Sequence, residues 1–285
     1  MNAHTEAALR KQDDPLWVNP EIVLPLLEGF IRDEITKVGI SNVVLNLSGG
    51  IDSAVSCVLA ARAMPPENVT ALMLPYKTSH PDSLGDAQTL ARQLGIRSMT
   101  ISVTEQVDPY FEKFPDMTPL RKANKMARER MTILYDQASA LDALPLGTSN
   151  KTELLLGYGT IYGDMASALN PIGDLYKTQV WQIARHLGVP EEIVSKKPTA
   201  DLWPGQTDES ELGFTYEKAD RLLYHMIDRR RSRAELERLG FEPAFIQELE
   251  NRVKRSQFKR RLPLIAKVSM RTIESDFRYP RDWGR

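Results

Sequence analysis

Apolar residues recur along the first half of the chain in two alternating rhythms. Short runs rich in β-branched side chains, Val43 to Leu47, Val69 to Leu74 and Arg97 to Val103, read as buried strands. Amphipathic stretches, Ser53 to Met64 and Ser83 to Leu94, separate them, and Gly95 stands where the second would be capped. A helix from Glu21 to Val38 precedes the first strand. A long helix from about Pro119 to Ala140, a strand at Ala143 to Leu146 and helices near Asn150 to Leu156 and Tyr176 to Leu187 follow the third. Strands alternating with helices of this length predict a doubly wound parallel sheet covered on both faces, with right-handed crossovers. After Pro198 the chain turns to charged helical segments with no further strand, a helical C-terminal extension. Residues 1–20, polar and carrying Asp13, Asp14, Pro15 and Pro20, read as an extended lead-in to a single α/β domain over 21–285.

Composition narrows the chemistry. With 285 residues, 42% of them hydrophobic and 26% charged, the chain can bury a full core. The net charge of −1 supplies no long-range field toward nucleic acid or an anionic membrane. Of two basic clusters, Arg229 to Arg233 and Lys259 to Arg261, the first has flanking acids and no interleaved aromatic platform and reads as a solvated helix end. The single cysteine, Cys57, excludes a disulfide framework and a multi-cysteine metal site within one chain, and it fits a reducing compartment. The stretch Met1 to Lys11 lacks an apolar core of signal-peptide length, and no apolar run of about 18 residues occurs, so a cytoplasmic protein without membrane partners is expected. The four histidines are dispersed without metal-ligand spacing.

The first strand runs directly into Ser48-Gly49-Gly50-Ile51-Asp52-Ser53 and then an apolar helix. Paired glycines let the backbone turn tightly, and free N–H groups at the helix start attract an anion, so the segment is a phosphate cradle. It lacks the Gly-Lys-Ser/Thr ending of the common nucleotide loop, so a lysine must come from elsewhere. Asp52 inside such a turn would repel phosphate unless a divalent cation, Mg²⁺, lay between them. The competing reading is an ordinary glycine-rich turn capped by Ser48 and Asp52.

The Ser-Gly-Gly-Ile-Asp-Ser motif after a Val-Val-Leu-Asn-Leu strand resembles the PP-loop of the ATP pyrophosphatases, which cleave ATP between its α and β phosphates, and implies their adenine nucleotide alpha hydrolase-like fold. The blocks Leu146 to Glu153 and Gly157 to Ala166, joined by Pro171 to Lys177, Lys197 to Leu202, Gln206 to Gly213 and Phe258 to Arg261, are similar to the NAD synthetases. That resemblance, running from about Gly29 to Trp283, implies amidation of deamido-NAD by ammonia with ATP, through an adenylated carboxylate, in a homodimer.

Residue by residue, the resemblance implies that Ser48, Gly49, Gly50, Ile51, Asp52 and Ser53 hold ATP phosphate together with Thr148, Lys177 and Thr199. Asp52 and Glu153 match metal-associated positions, and Lys177 sits early in a helix whose N-terminus can help hold the anion. Arg128 matches a deamido-NAD contact, Tyr135 a ring stacked on the nicotinate, and Asp164 the carboxylate beside the ammonia site. Lys259 matches a residue reaching the neighbouring subunit's dinucleotide. Asp52, Lys177 and Asp164 carry the expected catalytic roles. Each has a plainer alternative: a helix-surface charge for Lys177, Glu153 and Arg128, a turn or cap for Thr148 and Asp164, a core position for Tyr135.

The chain departs from the ammonia-dependent bacterial pattern at Ile161, Ala168, Phe258 and Glu34, and several blocks look more like the synthetase portion of the glutamine-dependent branch. Only about forty residues precede the first strand, so no amidase domain is expected, and ammonia would come from solvent or from a separate glutaminase. Segment 201–213, with Pro204, Gly205 and acidic residues, reads as a mobile cover over ATP. Two further readings remain open: a PP-loop amidase of another carboxylate, and a nucleotide-binding module without catalysis.

Overall fold

A computed structural model describes residues 14–199, 207–261, 263–273 and 276. Four parallel strands, β1 (Asn42–Asn46), β2 (Val69–Met73), β3 (Arg97–Thr100) and β4 (Ala143–Leu146), form one sheet in the order β3-β2-β1-β4. Their side chains alternate between two buried faces. Val43, Leu45, Ala71 and Met73 join a core with α1 (Pro20–Thr36), α2 (Ile51–Ala63), α3 (Pro81–Leu94) and α7 (Lys177–His186). Val44, Leu72 and Leu74 face the other way, against Leu134 and Ala138 of α5 (Pro119–Ala140). Burial on both faces is why these strands read as continuous apolar runs rather than as alternating ones.

The expected architecture is present, with differences at its margins. The segment Arg97 to Val103 was expected to be a buried strand; β3 stops at Thr100 and three of its four residues are exposed. It is the edge strand, bonded only to β2, so it needs little apolar surface, and a short polar strand protects an open edge. The next residues form α4 (Thr104–Lys113), a helix the sequence pattern did not announce because Pro109 interrupts it. Asn19 caps α1 by accepting the Glu21 N–H at 3.0 Å, so the helix begins at Pro20, one residue before the expected Glu21. Of the lead-in, Leu16 is buried against the helical C-terminal core.

Downstream come α6 (Lys151–Leu156), α8 (Glu191–Val194), α9 (Asp208–Leu212), α10 (Tyr216–Leu223), a π-helical turn (Tyr224–Asp228), α11 (Arg233–Arg238) and α12 (Pro243–Arg255). Part of the expected ATP cover, 201–206, lies outside the described residues. Chain order reverses between β1 and β4, so the carboxyl ends of these neighbouring strands flank a crevice, the usual ligand position in an open α/β sheet. No helix among the described residues is long and apolar enough to cross a membrane.

Candidate active site

The loop after β1 is built from its own short side chains. The Ser53 hydroxyl accepts the Ser48 N–H at 3.2 Å and donates to the Gly50 carbonyl at 2.9 Å, and it lies 3.1 Å from the Ser48 hydroxyl. Gly49 adopts φ +82°, and a Cβ there would stand 2.1 Å from the Ser83 carbonyl oxygen at the start of α3. The position therefore demands glycine twice, for its left-handed backbone and for its close approach.

Beneath the loop, three charged side chains converge from α2, α6 and α7. The ammonium of Lys177, 2% exposed at its side chain, is hydrogen-bonded to one Asp52 oxygen and lies 3.7 Å from Glu153. Its Nζ also stands over the Tyr216 ring, 5.2 Å from the centroid. Burial pushes the lysine pKa down, but the Asp52 and Glu153 carboxylates more than reverse this, so Lys177 is held firmly charged. Burial and the neighbouring Asp52 raise the Glu153 carboxyl well above the ordinary range, Lys177 offsetting only part.

Asn150 ties the cluster together. As N-cap of α6 it accepts the Glu153 N–H at 3.0 Å, while Glu153 accepts the Asn150 N–H at 3.3 Å, a reciprocal capping box. Its amide then donates to the other Asp52 oxygen at 2.8 Å. The residues of the motif Asn-Lys-Thr-Glu thus aim both carboxylates, a role that the pattern of capping residues permits but that only the contact across 98 positions reveals.

The structure alters one expectation about α7. Its first two N–H groups are not open to an anion: that of Lys177 donates to the Thr152 hydroxyl at 3.0 Å, and that of Thr178 to Asp220 at 2.8 Å. The side chain of Lys177, rather than the helix end, joins the charge cluster, its ammonium buried behind Asp52 and Glu153.

Thr148 lies two residues beyond β4 and lines the crevice with Ser48 to Ser53, Glu153, Asp164, Lys177 and Thr199, so these expected residues meet in one cleft. Asp164 is exposed at the cleft and accepts the Thr160 N–H at 2.6 Å; the atoms packed around its carboxyl raise the pKa, with Thr160, Lys259 and Arg130 pulling the other way. The loop before it is anchored by Lys259, whose ammonium donates to the carbonyls of Gly157 and Gly159 at 2.8 and 2.7 Å. Arg128 and Tyr135 lie on exposed parts of α5 and do not line the cleft; Arg128 donates to the Ile161 carbonyl at 3.2 Å.

Sequence reasoning passed over three lining groups. Arg130 donates to the Leu74 carbonyl at 2.8 Å, Lys196 pairs with Asp86 at 2.5 Å beside Ser83, and Asp208 accepts hydroxyl bonds from Tyr158 and Tyr216 at 3.0 Å. Nothing in their local sequence separates them from surface charges. Cys57 lies fully buried in α2, and burial pushes its thiol up to about 12. It is neither accessible nor activated, as a nucleophile must be.

The family model described as NAD synthase matches residues 23–263. The chain is 58% identical over 270 residues to the NH(3)-dependent NAD(+) synthetase of Trichlorobacter lovleyi, covering 95% of this chain and 99% of that protein. Among solved structures it is similar to the NH3-dependent NAD synthetase of Campylobacter jejuni, at 35% identity and a TM-score of 0.76, covering 88% of this chain and all of that one. It is also similar to an NMN synthetase from Francisella tularensis, at 32% identity and a TM-score of 0.77, covering 87% and 99%.

Proposed function

The chain belongs to the NAD synthase family, and on that premise we propose that its cleft amidates deamido-NAD with ammonia at the expense of ATP, releasing AMP and pyrophosphate. The observation that carries this reading is the convergence of Asp52, Lys177 and Glu153 beneath the Ser48 to Ser53 loop, with Asp164 in the same cleft. Adenylation brings a carboxylate against a polyphosphate, so it requires fixed positive charge on the phosphates and restraint of both reactants.

The loop N–H groups and hydroxyls hold phosphate, with Thr148 and Thr199 contributing from the flanking segments. Lys177 places its charge where pyrophosphate departs. A nicotinate carboxylate oxygen attacks the α-phosphorus, and the bond from that phosphorus to the bridging oxygen breaks. Ammonia then attacks the acyl carbon, Asp164 accepts the proton shed by the nitrogen, and the bond to AMP breaks.

The donor set also fits magnesium. Asp52 and Glu153 offer hard oxygens on the phosphate side, and among the described residues no cluster of three or more His, Cys, Asp or Glu stands ready for a metal. An ion held by these two carboxylates would take its other ligands from phosphate and water, as Mg²⁺ prefers. Its chemistry there is neutralisation of phosphate charge.

Incubation of the purified protein with ATP, Mg²⁺, deamido-NAD and ammonium is expected to yield NAD and AMP in equal amounts; AMP formation with no dependence on deamido-NAD would overturn the substrate assignment. Asp164→Asn separates the half-reactions. It is expected to slow NAD formation by about 10²-fold, the lower end of general-base contributions, while leaving ATP–pyrophosphate exchange near the wild-type rate. Equal loss in both assays would remove Asp164 from the ammonia step.

Ammonia enters free or from a separate glutaminase, since the thiol of Cys57 is sequestered. We place the reaction in the cytoplasm and in a homodimer. The largely bare side chains of Leu264, Val268 and Met270, 91%, 95% and 92% exposed, support an isologous partner. Lys259 and Arg128 then serve a dinucleotide shared between subunits. Mixed Lys259→Ala and Asp52→Asn subunits are expected to regain activity up to a ceiling of about a quarter of wild type, one rescued site in each heterodimer of a random mixture, that site having lost the Lys259 anchor of its own Gly157 to Gly159 loop. Inactive mixtures with proven subunit exchange would mean that each chain builds its own site.

A further inference from the structure

Helix α10 presents two polar residues, Tyr216 and Asp220, four positions apart and so on one face, and both are fully buried. That face meets the start of α7. Tyr216 lies under the Lys177 ammonium and donates its hydroxyl to Asp208. Asp220 works at the other end of the same lysine. One of its oxygens accepts the Thr152 hydroxyl at 2.6 Å, and the other accepts the Thr178 N–H at 2.8 Å. Thr152 in turn accepts the Lys177 N–H at 3.0 Å and precedes Glu153.

A helix start leaves N–H groups that normally find a local cap. At the start of α7 Gln179 accepts the Tyr176 N–H at 2.9 Å, but the N–H groups of Lys177 and Thr178 are met from outside the helix, by Thr152 and by Asp220, the latter 42 residues away in sequence. Through the shared Thr152 hydroxyl it fixes the backbone of both the phosphate-side lysine and the metal-side carboxylate.

We infer that Asp220 is a positioning residue for ATP binding, a cap supplied from α10 that sets Lys177 and Glu153 in one register. The inference rests on the proposed use of that cluster for ATP, but not on which acid is amidated. An Asn at 220 keeps the shape yet offers one oxygen to two donors, and its amide would face a hydroxyl already receiving the Lys177 N–H. Val at 152 keeps the volume and removes the bridge, whereas Ser keeps the bridge.

The test is calorimetric titration of each folded variant with ATP in the presence of Mg²⁺, alongside melting temperatures. Affinity is expected to fall about tenfold in Asp220→Asn and in Thr152→Val, below the roughly 10²-fold that an ångström of misplacement costs a reaction. The double variant should lose little more than either single one, because both cut the same bridge. Thr152→Ser should recover most of the loss. Wild-type affinity in folded Asp220→Asn, additive losses, or equal weakening by Ser and Val at 152 would overturn the assignment. If Asp220→Asn does not fold, the Thr152 pair decides alone. Wild-type turnover with deamido-NAD, measured separately, tests the reaction without touching this result.

Discussion

Lys177→Met is expected to lower AMP formation by at least about 10³-fold, and to destabilise the protein by about 3–5 kcal/mol, the usual consequence of removing one partner from a buried ion pair. The lysine side chain is 2% exposed while Asp52 and Glu153 retain 18% and 17%, so the ammonium is sealed in and the carboxylates face the cleft. Without it, two adjacent carboxylates repel each other and one takes up a proton. Met fills the volume, so loss of packing is small and the effect is electrostatic. Denaturant unfolding and single-turnover AMP release check the two parts. A variant with normal stability and near-normal AMP release would remove Lys177 from the centre of the site.

Asp52→Asn and Glu153→Gln are expected to abolish adenylation, again by about 10³-fold or more, with a different structural signature. Each exchange deletes a charge facing the phosphates but keeps the side chain's size. Asn at 52 also turns a donor toward either Asn150 or Lys177, where Asp52 now accepts from both. The Lys177 charge keeps one carboxylate partner in either variant, so the loss of stability should be smaller than in Lys177→Met. Near-normal ATP–pyrophosphate exchange in either variant would refute the metal-side role.

Much of this arrangement was legible before any coordinates. The strand and helix alternation gave away the parallel sheet because β1 and β2 are buried on both faces, and the phosphate loop was readable because its glycines and serines bond within six residues. β3 was over-read because Arg97 to Val103 carries Met99, Ile101 and Val103, whose side chains do reach the second core although the strand ends at Thr100. Asp52 was readable from the loop itself, whereas Glu153, Lys177, Thr148 and Thr199 came through the resemblance. Their supports, Asn150 and Asp220, did not, since a capping asparagine or a helix aspartate acquires its meaning only from partners 98 and 68 positions away. Arg128 and Tyr135 came from the resemblance alone, and a single chain holds them off the cleft.

The long reach of these contacts bears on how the protein folds. The bond from Lys177 to Asp52 closes a loop of 125 residues, whereas each β-α-β unit of the sheet closes a far shorter one. Loop-closure entropy grows with length and must be met before distant contacts repay it, so the sheet can form while the charge cluster is still open. The acids and the lysine then come together only when α6, α7 and α10 dock, the step that also buries Asp220. Recovery of AMP formation during refolding should therefore lag behind recovery of secondary structure, and the catalytic signal becomes a reporter of the last docking event.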